Sequence, residues 1–568
     1  MNKTRRDFLR MAGGAAVAGA LAGCQTHAAE NTRDTAPFAV ERPNIILIIT
    51  DDQGYGDLGC HGNPHIKTPN IDRLYAESTR LTQFHVCPVC TPTRASLMTG
   101  RYNYRTGAID TYRGRAMMHP DEITVAEVLA SNGYKTGIFG KWHLGDCYPL
   151  RAMDQGFNES LVIKGGGLAQ PSDPPGSGYF DPVLMHNGED EKRTGYCTDI
   201  YTSACIDFVR ANKERPFFAY LPANAPHTPL FIDDKYVQPY LNLGISEATA
   251  KTYGMIANLD ENIGRLMAEI DTLGLREKTI VIFMTDNGPQ MPKDPRYNAG
   301  MRGEKATVYQ GGIRVPFFFR WPGVVPAGRD VDRVAAHIDV MPTLMAMCNA
   351  ADASNTDRDG VNLLGTLIGE ENVWPDRTIF TQWHRGDAPE LYVNCMARNQ
   401  RYKMVNGKEI YDLQSDPNEQ RDIASERPEV LAQLRIEYEA WFRDVGATRG
   451  YDPPRIYIGA PEAREVTLTQ QDWRGIHSSK GDEIGQWELE VITEGKYRVE
   501  VQFPGIEGEG PVELNIGRAQ AKANLAKGAS GHVFDGISLV KGAASLMASV
   551  TKKGVTRGPK YVYIVKQS

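Results

Sequence analysis

The sequence predicts an α/β protein: a large, mostly parallel sheet flanked by helices, then a small α+β subdomain, then a C-terminal all-β sandwich. Two runs, Asn44–Thr50 and Thr279–Thr285, are continuously apolar and β-branched, as strands buried on both faces are. Helical patterns at 70–78, 125–130, 202–212 and 248–273 alternate with shorter strand patterns, which is the order of a parallel sheet whose site lies beyond the strand carboxyl ends. From about Asp452 short alternating strands, such as 497–503 and 561–565, are separated by glycine-rich turns, as in a sandwich.

A chain of 568 residues exceeds one hydrophobic core. The expected division is an export signal over 1–24, a polar linker over 25–41, the main α/β domain over 42–370, the subdomain over 371–450 and the sandwich over 451–568. With 41% apolar and 23% charged residues the composition is that of a globular protein. A net charge of −7 gives no basic footprint for nucleic acid, so an anionic substrate must be met by a local cluster of cations.

Arg5-Arg6-Asp7-Phe8-Leu9 resembles a twin-arginine export motif, and residues 11–23 are apolar, small and too few to span a bilayer. Leu21-Ala22-Gly23-Cys24 resembles a lipobox. The expectation is a periplasmic or cell-surface protein with a lipid anchor at Cys24, plain cleavage nearby being the alternative. The other eight cysteines, at 60, 87, 90, 147, 197, 205, 348 and 395, lack the dense spacing of a disulfide scaffold.

The first long strand ends at Asp51-Asp52, and 279–285 ends at Asp286-Asn287. A strand over 134–140, after a helix opened by a Thr124-to-Glu127 capping box, delivers Lys141-Trp142-His143. A strand over 217–221 delivers Ala225-Pro226-His227. The oxygens of Asp51, Asp52, Asp286 and Asn287 suit a hard divalent cation, calcium before zinc because the set holds no histidine. In Cys90-Thr91-Pro92-Thr93-Arg94 a small side chain stands at a helix start beside a fixed cation, a place that binds anions. After 371 the expected elements are strands at 391–397 and Tyr402–Val405, a turn-rich 409–413 and a closing helix over 428–443.

Cys-x-Pro-x-Arg, continued by Leu97-Met98-Thr99-Gly100-Arg101, resembles the signature of the type I sulfatases, a branch of the alkaline-phosphatase superfamily. Gly140-Lys141-Trp142-His143-Leu144-Gly145, Ala225-Pro226-His227-Thr228-Pro229 and Arg302 to Gly312 are similar to sulfatase sequences as well. The resemblance implies an alkaline-phosphatase-like fold and a sulfuric-ester hydrolase whose Cys90 is oxidised to formylglycine by a maturation enzyme. It further implies one Ca²⁺ held by Asp51, Asp52, Asp286, Asn287 and the side chain at 90. Arg94, Lys141, His143, His227 and Lys305 would complete the catalytic set, His227 with Lys305 protonating the leaving alcohol and His143 taking a proton from residue 90. Two departures are Thr93, where serine is commonest, and Glu304, where glycine is common.

Export and the added sandwich point to sulfated carbohydrate as substrate. Asp110, Arg113 and Arg115, with His384, Arg385 and Asp387, are the candidates for contacts to sugar hydroxyls; each could instead be a solvated or structural charge. The competing readings are a formylglycine-dependent phosphonate or phosphodiester hydrolase and a non-catalytic glycan-binding lipoprotein.

Overall fold

The computed structural model describes residues 42–567 apart from 171, 291–295, 355, 371–373, 375, 478–482, 504 and 506–508. The export signal with Cys24 and the linker lie outside the described residues.

Ten strands form the main sheet in the order β10-β2-β9-β8-β1-β7-β3-β4-β5-β6. They are β1 (Asn44–Thr50), β2 (Thr79–His85), β3 (Lys135–Lys141), β4 (Glu159–Ile163), β5 (Val183–His186), β6 (Glu189–Lys192), β7 (Phe217–Pro222), β8 (Thr279–Thr285), β9 (Phe317–Arg320) and β10 (Arg329–Ala336). The centre is parallel, β8, β1, β7, β3 and β4 running together. The sheet is mixed because β9 is antiparallel to β2 and β8, and because a β5–β6 hairpin turns back over Asn187-Gly188, both at positive φ. β1 and β8 are buried at every position, as their unbroken apolar runs require. Their register pairs Thr50 with Thr285, so Asp51-Asp52 and Asp286-Asn287 leave the sheet side by side.

The helices lie where the 3.6-residue pattern puts them: Pro69–Ala76, Val125–Ser131, Cys197–Asn212 and Glu247–Thr272. The third starts five residues before the expected 202. The Thr124–Glu127 capping box is formed on both sides. Pro69–Ala76, Cys197–Asn212 and Glu247–Thr272 send Ile71, Cys205, Val209, Leu259 and Ile263 into one core against β1, β7 and β8.

A second, antiparallel sheet runs β11 (Ile379–Gln382), β12 (Cys395–Arg398), β13 (Tyr402–Val405) and β14 (Glu409–Asp412), covered by the helix Pro428–Ala447. Two expectations are corrected here. The strand expected over 391–397 begins only at Cys395, because Tyr392 and Asn394 take left-handed backbone conformations that interrupt a ladder. The stretch expected as turn-rich at 409–413 is the strand β14, paired with β13 across Asn406-Gly407-Lys408, whose Asn-Gly at positive φ closes the hairpin.

From Ile456 onward the strands among the described residues form two β-sheets, one of seven strands and one of four. Their inner faces meet over Trp473, Trp487, Val499, Leu514 and Ile564, and the same core takes in Met117, Cys147 and Leu150 from the main domain. All eight cysteines in the described residues are free.

Candidate active site

The site lies beyond the carboxyl ends of β1, β8, β3 and β7. Cys90 opens the helix Cys90–Thr99, every residue of which is buried, so the helix start sits inside the protein. Its Sγ lies 3.4 Å from Asp51 Oδ1. Burial, and next the charge of Asp51, push the thiol well above the ordinary cysteine value. Cys87 belongs to a different neighbourhood, with Sγ 3.5 Å from His337 Nε2 and 3.7 Å from Asn103 Oδ1.

Two buried cations, Lys141 and Arg94, and the partly buried Lys305 meet three buried carboxylates. Lys141 Nζ donates to Asp51 Oδ2 at 2.6 Å, Lys305 Nζ pairs with Asp52 Oδ1 at 2.5 Å, and Arg94 Nη2 donates to Asp286 Oδ2 at 2.7 Å. Arg94 also donates to Lys141 O at 2.9 Å, which binds the Cys90–Thr99 helix to the end of β3. Asn287 Nδ2 donates to Asp52 Oδ1 at 2.8 Å, and His227 Nε2 lies 3.7 Å from Asp52 Oδ2. Burial raises Asp286 to about 6, with Asp51 adding to the effect. For Asp52 burial acts in the same upward direction, but Lys305 and His227 overcome it and hold the carboxyl well below its ordinary value.

The backbone is shaped for this convergence. Asp52 (φ 64°) and His143 (φ 59°) take left-handed conformations that cost a non-glycine residue ~1–3 kcal/mol, strain that typically collects at functional sites. Gly140, at φ 135°, leaves only 2.1 Å between a would-be Cβ and Pro222 O, so no side chain fits where β3 turns to present Lys141. Lys305 sits on a loop tied to its neighbours by Lys305 N to Pro289 O at 3.0 Å and Ala306 N to Pro88 O at 2.8 Å.

The two histidines present different nitrogens. His143 Nε2 lies 3.0 Å from Thr111 O, and a carbonyl can only accept, so Nε2 carries the proton and the buried, unpartnered Nδ1 is left as the acceptor. Burial, then Lys141 and Arg94, keep this ring neutral. His227 Nδ1 donates to Thr228 O at 2.6 Å, which turns Nε2 to the site; burial lowers His227 to about 4.

Asp51, Asp52, Cys90 and His227 offer ligand atoms within 4.8 Å of one another, and the buried Asp52 Oδ2 and Asn287 Oδ1 have no hydrogen-bond partner among the described residues. The oxygens of Asp51, Asp52, Asp286 and Asn287 fit a hard divalent cation, although the structure also brings His227 and the Cys90 sulfur, which the sequence reading left out of the oxygen set, within reach of it.

Cys90, His143, His227 and Lys305 line one cavity of about 530 Å³. Of the six expected sugar contacts only Arg385 reaches its wall. Asp110 stands behind the wall, accepting from Trp383 Nε1 at 2.9 Å and from Arg385 Nη1 at 3.0 Å. Arg115 pairs with Asp387 at 2.9 Å outside the cavity, Arg113 lies 3.7 Å from Glu483, and His384 accepts from Glu390 N at 2.7 Å. Sequence reasoning missed Tyr112, Gln170, Trp383 and Gln471, which do line it. Tyr112 and Trp383 were within reach as neighbours of named charges; Gln170 and Gln471 belong to no motif.

Residues 43–350 match the sulfatase family, and residues 303–441 match the N-sulphoglucosamine sulphohydrolase C-terminal family. Arylsulfatase A of Homo sapiens is 32% identical over 449 residues, 74% of this chain and 86% of that protein. N-acetylgalactosamine-6-sulfatase of Canis lupus familiaris is 32% identical over 384 residues, 62% of this chain and 70% of that protein. The crystal structure of Ps i-CgsB in complex with k-i-k-neocarrahexaose is similar at a TM-score of 0.66 and 30% identity, over 72% of this chain and 95% of that one.

Proposed function

The chain belongs to the sulfatase family and is a sulfuric-ester hydrolase, and from that premise we propose that it removes sulfate from carbohydrate, with formylglycine made from Cys90 as nucleophile and one Ca²⁺ in the site. The observation that carries this reading is the joint placement of Cys90, His143, His227 and Lys305 on one cavity over the Asp51-Asp52-Asp286-Asn287 cluster.

Asp51, Asp52, Asp286 and Asn287 would hold the cation, with residue 90 beside them. Formylglycine, hydrated by one water to the gem-diol, would supply a hydroxyl nucleophile, and calcium would supply positive charge against the sulfate oxygens. The chain's own groups do the rest. Arg94 and Lys141 fix Asp286 and Asp51 so that the cluster is preorganised before substrate arrives. His143 Nδ1, held as the unprotonated nitrogen by Thr111 O, takes a proton from residue 90. His227 Nε2 and Lys305 Nζ form the donor pair for the leaving oxygen. Lys305 is the protonated member in the free site, because burial, which lowers the ammonium, is overcome by Asp52, Cys90 and Asp51 together, while burial lowers His227 to about 4. The carbohydrate reading is supported by the named ligand of the similar crystal structure, a neocarrahexaose, and by a polar cavity wall of Gln170, Arg385 and Gln471.

Paired kinetics test the proposal. An aryl sulfate should be hydrolysed at least about a hundredfold faster than the matching aryl phosphate, and sulfated oligosaccharides should be turned over. Chelation should abolish both activities, with Ca²⁺ restoring them better than Zn²⁺. Preference for the phosphate ester, or restoration by zinc alone, contradicts it.

A further inference from the structure

The C-terminal sandwich enters the active site through one short turn, Gln470–Asp472, which follows the strand Glu465–Thr469. Thr469 caps it by accepting from Gln471 N, and Trp487 Nε1 donates to Thr469 O at 2.7 Å. Trp473, fully buried in the sandwich core, lies immediately behind, 5.7 Å from the Trp487 ring. The turn and the strands beside it are also bound to the main domain. Gly114 N donates to Gln471 O at 2.9 Å, Cys147 Sγ donates to Thr467 O at 3.3 Å, and Tyr561 Oη donates to Asp173 O at 2.6 Å. A side chain on a turn fixed from both sides is preorganised.

Gln471 is 3% exposed and lines the same cavity as Cys90, His143 and His227. Its Nε2 donates to Thr111 O at 2.9 Å. Because that carbonyl can only accept, the amide nitrogen must face it, and Oε1 is left without a hydrogen bond among the described residues. An unpaired acceptor on the cavity wall is open to a ligand that brings a donor.

We propose that the sandwich is a wall of the substrate pocket and that Gln471 Oε1 accepts a hydrogen bond from a hydroxyl of the sugar that carries the sulfate. This rests on the carbohydrate reading above. It gives the sandwich a role in specificity at the scissile ester, where a remote glycan-binding module would act only by tethering. A site built to pair a hydroxyl discriminates against substrates that lack it.

The test uses the full chain carrying Gln471→Met, which keeps the length and loses both polar atoms. Gln471→Asn keeps the amide but withdraws it by one methylene. Each is assayed on 4-nitrophenyl sulfate and on whichever of carrageenan, chondroitin sulfate and heparin oligosaccharides the wild type turns over fastest. Loss of the bond to Thr111 O acts on both substrates alike, so the ratio of the two losses isolates the sugar contact. The expected loss in kcat/KM on the oligosaccharide exceeds that on the aryl sulfate by about tenfold or more in Gln471→Met and by less in Gln471→Asn. If Gln471→Met does not fold, the ratio in Gln471→Asn decides. Equal losses on both substrates, or none on either, overturn the proposal and leave Gln471 as a prop for Thr111. A wild type that hydrolyses the aryl sulfate but no oligosaccharide overturns the carbohydrate reading itself.

Discussion

Under the proposed reading Cys90 attacks only after conversion, when the hydrate of its formylglycine carries a hydroxyl at this helix start. Burial and Asp51 suppress thiolate, while the helix start and the three cations around it favour an anionic ligand. Cys90→Ala removes only one buried sulfur atom, so kcat on an aryl sulfate should fall by about 10³-fold or more while the melting temperature moves by a few degrees at most. Activity above a few per cent of wild type would show that another group attacks. The residues of this centre were legible because most stand in short motifs that follow a strand or open a helix, and Lys305 stands in the loop motif Arg302 to Gly312. The sugar contacts were not, because charge in a sequence does not say which way a side chain is used. Asp110, Arg115 and Asp387 carry the charge expected of a pocket yet spend it on one another and on Trp383 and Arg385.

The loop that presents Lys305 depends on the second sheet. Lys403 on β13 and Glu419 form a fully buried ion pair at 2.5 Å, and Glu419 Oε2 also accepts from Gln310 N at 2.6 Å, just after that loop. Removing one partner of such a pair strands a buried charge and costs ~3–5 kcal/mol, whereas replacing both by apolar groups is often near neutral. Glu419→Ala should therefore lower the stability measured by denaturant unfolding by about that amount. A Lys403→Met, Glu419→Leu double variant should recover most of it. If the double variant is no better than the single one, the pair is dispensable and the bond to Gln310 carries the effect. Element by element, the parallel centre was legible from unbroken apolar runs, since burial on both faces leaves that trace. The antiparallel β9 was not, because a short buried strand reads the same in either direction. The hairpin of β13 and β14 carried its signal in Asn406-Gly407, a turn pair hidden among polar neighbours.

For the whole molecule, the sandwich shares one core with the main domain through Met117, Cys147 and Leu150. Ending the chain at residue 450 would expose Met117 and Leu150 at ~1.5–3 kcal/mol each, so the truncated protein should melt several degrees lower and lose Gln471 from the cavity. An unchanged melting temperature would mean that the sandwich is an independent appendage. Its fold class was legible from strand alternation, but its place against the active site was not, because contacts between distant segments leave no periodic trace in a sequence. The central claim, that this sulfuric-ester hydrolase works through a modified Cys90, is tested most directly by the mass of the peptide bearing residue 90 from an active preparation. The expected result is a peptide in which CH₂SH has become CHO, its fraction rising in proportion to aryl sulfate turnover across preparations. Full turnover from protein whose residue 90 is entirely cysteine would contradict the account.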